Sequence, residues 1–144
     1  MLSLAAGQSI YGQSSSGNVV YTITGIVASG TTETYKVLAS GFFGGTTLLF
    51  TPTGGTRVTS ISMHNPASIT DDLVVTVYIG GTGTSNVVYK ANLLQEYTLT
   101  YDEDGWRVHN SAGEEVIDTG CVNIIVSQIA PTNPSLGDLW VQLP

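Results

Sequence analysis

Few side chains in this sequence could make or break bonds. They are two histidines, His64 and His109, a single cysteine, Cys121, and two short carboxylate runs, Asp71-Asp72 and Asp102-Glu103-Asp104. Nucleophilic catalysis needs a base beside a Ser, Thr or Cys and a third group to orient it. His109 alternates with Arg107, opposite Trp106 and Val108, and reads as a solvent-side strand residue. His64 ends a strand before the Asn65-Pro66 turn. Neither has the surroundings of a general base, so no catalytic residue and no enzyme activity is expected.

Zinc needs Cys and His ligands at short spacings, and this inventory supplies none. The Asp102-Glu103-Asp104 run puts three carboxylates in one turn, a composition hard cations favour. It lacks the spaced oxygens and closing Glu of a calcium loop, and acidic residues at hairpin tips are ordinary turn chemistry. Adjacent turn carboxylates also cannot hold the fixed separation a glycosidase pair needs across a cleft. The glycine loops Gly41–Gly45 and Gly80–Gly83 are not followed by the Lys-Ser/Thr and helix of a phosphate loop. No metal and no cofactor is expected.

Aromatic side chains remain as functional candidates, because Trp and Tyr anchor interfaces and stack on sugar rings. Trp106, Trp140 and Tyr101 are the candidate interface or binding residues. Trp106 shares a face with Val108, so a core position competes with a binding role. Trp140 lies in a proline-rich stretch, where a large aromatic suits anchoring onto a neighbouring surface.

The elements that must position these residues are strands. Apolar residues recur at every second position, in segments rich in Val, Ile, Thr and Tyr between glycine-containing turns. Asn18–Thr24 and Glu33–Ala39 read as a hairpin about Gly30-Thr31-Thr32. Gly41–Gly45 reads as a break before Thr46–Thr51. Arg57–His64 is a further strand, and Leu73–Ile79, apolar on both faces apart from Thr76, reads as a central one.

Val87–Tyr89 begins another strand, while Asn92–Gln95 has no clear assignment. Tyr97, Leu99 and Tyr101 alternate with Glu96, Thr98 and Thr100, and Asp104-Gly105 then marks a hairpin tip whose favoured turn has positive φ at both central residues. Glu115–Ile117 and Val122–Ile129 complete the set. No helix is expected. The fold class expected is all-β, an antiparallel β-sandwich of jelly-roll type over residues 1–129. An extended docking tail follows over residues 130–144 and carries three of the five prolines.

At 144 residues the chain fits one domain that can bury a core without disulfides or metals. Cys121 reads as a small buried apolar residue, and one cysteine suits a reducing compartment. Charge is sparse, 10% of residues, with 11 acidic against 4 basic and a net charge of −7. The four cations are scattered, which argues against nucleic acid as a partner. With 42% hydrophobic residues, a surface so poor in charge is expected to be partly covered by other copies of the chain. A coat of Ser and Thr hydroxyls is the competing explanation. No apolar run reaches the roughly 20 residues of a spanning helix, so no membrane insertion is expected. The opening Met-Leu-Ser-Leu lacks a secretory signal's basic and apolar regions, so synthesis in the cytoplasm is expected.

The run from Tyr97 through Asp102-Glu103-Asp104-Gly105-Trp106-Arg107-Val108-His109-Asn110-Ser111-Ala112-Gly113 resembles a segment of bacteriophage structural proteins, in which a Gly-Trp-Arg/Lys-Val strand leads to an Asp/Asn-Ser-x-Gly turn. Thr46–Pro52 followed by Arg57–Asn65 is similar to the opening of the same group, and Ser9–Gln13 and Tyr21–Gly25 fit it. Pro134-Ser135-Leu136-Gly137-Asp138-Leu139-Trp140 resembles a stretch of phage tail and fibre proteins. The resemblance implies a β-sandwich module assembled as symmetric copies on a virion, in the tail, a fibre or a capsid decoration, without catalytic residues. A homotrimer and other virion proteins are the expected partners, and a host surface glycan is the alternative ligand.

Overall fold

A computed structural model describes residues 1–116 together with the strands Ile124–Ser127 and Leu139–Gln142. The chain is all-β, as the alternation predicts. Strands β1 (Leu2–Leu4), β2 (Ile10–Ser29), β3 (Thr32–Phe50), β4 (Thr56–His64), β5 (Leu73–Ile79), β6 (Val87–Leu93), β7 (Thr98–Asp102), β8 (Gly105–His109) and β9 (Glu115–Val116) form one nine-stranded sheet. All its pairings are antiparallel. The spatial order is β6-β5-β2-β4-β7-β8-β9, with β1 also paired to β4 and β3 to β2. Among the described residues the only helical piece is a single 3-10 turn at Thr84–Asn86.

The sheet curls because β2 and β3 run through both of its arms. The first part of β2, Ile10–Ser14, pairs with β5, and its later part, Val20–Val27, pairs with β4. Between them the hairpin turns a corner. Ser14 faces Gly45 and Val19 faces Phe43, so four residues of β2 pass opposite Gly44 alone. The strand on the outside of the bend takes the longer path. Gly44 must be glycine there, since a Cβ would stand 2.9 Å from the Gly17 carbonyl oxygen and 2.8 Å from Asn18 Oδ1. The Ser14 hydroxyl donates to the Ser16 carbonyl (2.8 Å), satisfying a backbone acceptor inside the bend.

The curl brings the inner faces together around one core. Ile10, Leu73, Val75, Val77 and Leu93 from one arm, and Ile23, Val58, Ile61, Met63 and Leu99 from the other, are all buried. Phe43 packs edge-on to Tyr21 near the corner, with ring centroids 5.8 Å apart. Asn65, fully buried, ties the arms just past the end of β4 that lies against the corner. Its side-chain amide donates to the Asp71 and Leu93 carbonyls (3.2 and 3.0 Å), and its backbone N–H donates to Tyr97.

Several local expectations are corrected. The glycine-rich stretch Gly41–Gly45 does not break β3, which runs unbroken from Thr32 to Phe50. Glycine supplies the bend while the hydrogen-bond ladder resumes beyond it. Asn92 belongs to β6, which extends to Leu93. At the Asp102–Gly105 tip only Gly105 has positive φ, +97°, so the turn is not the doubly left-handed one expected of Asp-Gly. The loop pair is Glu103-Asp104, with the Asp104 N–H bound to Asp102 Oδ1 (2.9 Å), and Gly105 takes the left-handed position after the turn.

Beyond β9, β10 (Ile124–Ser127) and β11 (Leu139–Gln142) pair with each other in parallel. Cys121 and the remainder of residues 117–144 lie outside the described residues.

Gly44→Ala is expected to destabilise the protein by about 1–3 kcal/mol through overpacking at the corner. The urea midpoint should fall at unchanged m-value. A midpoint equal to wild type would show that the corner does not require glycine.

Candidate functional site

The aromatic candidates come together on the inner face, where Tyr101 of β7 lies opposite both Ile61 of β4 and Trp106 of β8. Tyr89 reaches them from β6, the edge of the other arm. Its ring is stacked on Trp106, with centroids 5.1 Å apart and planes 9° apart, while Tyr101 is tilted against Trp106 at 4.9 Å and 43°. These three half-buried rings close the mouth of the curled sheet. Stacking a sugar requires an open aromatic face, and Tyr89 lies flat on one face of Trp106. Trp140 falls in β11 opposite Ile125, and its side chain lies outside the described residues.

The sequence pairs Trp106 with Val108, its same-face neighbour, but does not link it to Tyr89. Alternation along β6 could have flagged Tyr89 as inward-facing, since it lies opposite the buried Val77. Its partner depends on how far the sheet curls, which a local pattern does not encode.

Both histidines stand on the outer face in one cross-strand row, Val20–His64–Thr98–His109–Glu115. His64 Nδ1 is 2.9 Å from Thr98 Oγ1, and His109 Nε2 is 3.4 Å from Thr100 Oγ1. Each ring is thus engaged by a strand hydroxyl. Beside this row runs another, Ser40–Thr22–Ser62–Thr100–Arg107. The acidic turn is held by Arg107, which pairs with Asp102 and approaches Asp104 at 3.7 Å. Among the described residues no three His, Cys, Asp or Glu side chains converge as metal ligands.

The Asp104 N–H bound to Asp102 holds the Asp102 carboxyl below the usual carboxylate range. Partial desolvation opposes this shift and the Arg107 guanidinium reinforces it. Arg107 is raised correspondingly, chiefly by its hydrogen bond to Asp102.

On the outer face of the other arm, Gln13, Ser15, Val74, Thr76 and Lys90 line a groove of about 160 Å³. Pockets for small ligands are commonly about 300–1,000 Å³. Comparison with protein-family models, curated proteins and solved structures finds no match to this chain.

Trp106→Ala is expected to lower stability by about 2–4 kcal/mol, because both aromatic contacts across the mouth are lost with the burial. Chemical denaturation measures it, and a change under about 0.5 kcal/mol would show that the aromatic contacts do not close the mouth. Asp102 has a depressed folded pKa, so its stabilising contribution is present above the ordinary carboxylate pKa near 3.8 and disappears as pH falls through the lower folded value. Asp102→Asn should therefore lose stability at pH 6 and match wild type at the acid end. Parallel denaturation curves at every pH would contradict this.

Proposed function

We propose that this chain is a non-enzymatic structural component of a bacteriophage virion, a homo-oligomeric, sandwich-like module of the tail, a fibre or a capsid decoration. The observation that carries the reading is the outer border of the sheet. On β3, an edge strand, Tyr35, Val37, Phe42 and Leu48 are exposed at 65%, 58%, 72% and 53%. A row of large apolar side chains beside a strand edge that is unpaired among the described residues suits a surface that other protein covers. The sparse charge of the whole chain supports the same reading, as does the phage-like Gly-Trp-Arg-Val strand, which lies at the closed mouth of the sheet. Symmetric copies of the chain are the first partner, with three-fold assembly the form implied by the resemblance, and other virion proteins are the second.

The alternative, adhesion to a host glycan through Trp106 and Tyr101, is less well supported, because Tyr89 already occupies one face of Trp106.

Light scattering of the purified chain should give a mass above one copy, and antibodies to it should label purified virions. A strict monomer at about 100 μM that is missing from particles would refute the proposal.

A further inference from the structure

The tip of the long hairpin carries an edge whose backbone groups can be assigned one by one. The loop Gly30-Thr31 joins Ser29 to Thr32, and Ala28 lies opposite Glu33. The Ala28 N–H donates away from β3, to the Gly55 carbonyl at 3.0 Å. Ala28 and Glu33 are therefore a pair that exchanges no hydrogen bonds, and the Glu33 N–H and C=O point away from β2. Alternation repeats this at Tyr35 and Val37, after which Leu38 is skipped in the pairing and interrupts the pattern. Among the described residues β3 pairs with β2 alone, so these three residues offer their amide groups to an outside strand.

We infer that a second copy of this chain is that strand, paired antiparallel through Glu33–Val37 with Tyr35 on a two-fold axis. In an antiparallel pair, a residue with outward-pointing amides must face another of the same kind. Only the register centred on Tyr35 lets all three find such a partner: Tyr35 faces Tyr35 of the other copy, and Glu33 faces Val37 both ways. About six backbone hydrogen bonds result, two per facing pair.

Side chains select the same register. Centring on Glu33 or Lys36 would set like charges directly opposite, which is destabilising. Centring on Tyr35 sets two uncharged side chains opposite each other on the outer face, each with its hydroxyl donating to Thr24 of its own chain (3.1 Å). Glu33 meets an apolar neighbour there with its charge already paired to Arg57 of its own chain. The contact is isologous, so it joins copies in pairs and cannot by itself close a ring of three.

Cysteine cross-linking in a Cys121→Ser background tests the register. Tyr35→Cys treated with oxidised glutathione should become mostly a covalent dimer, because facing Cα atoms in such a pair lie about 5.5 Å apart, within disulfide reach. Glu33→Cys alone should stay uncoupled, its two copies being roughly 13 Å apart along the strands, while a mixture of Glu33→Cys and Val37→Cys should couple. Equal coupling by Glu33→Cys alone, or none by Tyr35→Cys, would overturn the register.

Tyr35→Pro removes an N–H that the chain's own sheet does not use. It should keep the far-ultraviolet dichroism of wild type while the mass falls from twice 15.1 kDa to one copy. An unchanged mass would overturn the contact. The inference rests on the self-association proposed above and not on the particle. A virion protein whose oligomer ignores Tyr35→Pro loses this contact and keeps that function, whereas a Tyr35-dependent pair absent from particles does the reverse.

Discussion

Two strands must belong to both arms of the sheet at once, and the rest of the molecule is arranged around the corner where they turn. The bend is possible because β2 spends four residues passing the single Gly44 of β3. The ladder is interrupted briefly and resumes, so few backbone groups lose partners. With the corner set, β5 and β4 dock along successive lengths of the same β2 border; β5 brings its hairpin partner β6, while β4 takes on its other side β7, which follows β6 in the chain. The core is the space between the arms that this docking creates. Asn65, just past the end of β4 that lies against the corner, ties the arms there, and the Tyr89–Trp106 stack ties them again across the mouth.

The outer surface divides into two kinds of territory. Across β2, β4, β7 and β8 it is a lattice of Ser, Thr and His side chains, many bonded across strands, such as Thr24 to Ser60 at 2.6 Å. Hydroxyls there solvate a sheet face without charge, which accounts for part of the chain's low charge content. Toward β3 the lattice gives way to Tyr35, Val37 and Phe42. The hydroxyl coat and the exposed apolar side chains thus occupy different parts of one face.

Strands with one wet and one dry side were legible from alternation alone, and Leu73–Ile79 emerges with the boundaries its residues suggest. The β7–β8 hairpin was legible as well, although its turn type was not. Asp102 captures the Asp104 N–H and shifts the left-handed residue to Gly105, a competition between side chain and backbone that a dipeptide rule does not weigh. Continuity of β3 through its glycines was hidden, because Gly-Gly usually punctuates a strand and only the partner strand reveals a bend. The aromatic closure was hidden for a related reason. Trp106 and Tyr89 are distant in sequence and adjacent only after the sheet has curled. The parallel pairing of β10 with β11 leaves no mark in the local alternation of either segment.

The length of the β2–β3 hairpin has a kinetic side. Its pairing spreads outward from a two-residue loop, so every contact closes only slightly more chain than the one before, and simple hairpins form in about 1–10 μs. β1 on β4 and β5 on β2 close much longer loops and have to wait. The hairpin is therefore expected to serve as the template on which the remaining strands condense, and to present the edge of β3, which pairs with no further strand among the described residues, from the first moments of folding. Were copies to pair through that edge as proposed above, newly made chains in a crowded cell would meet before their cores are complete, and assembly would begin as a competitor of folding.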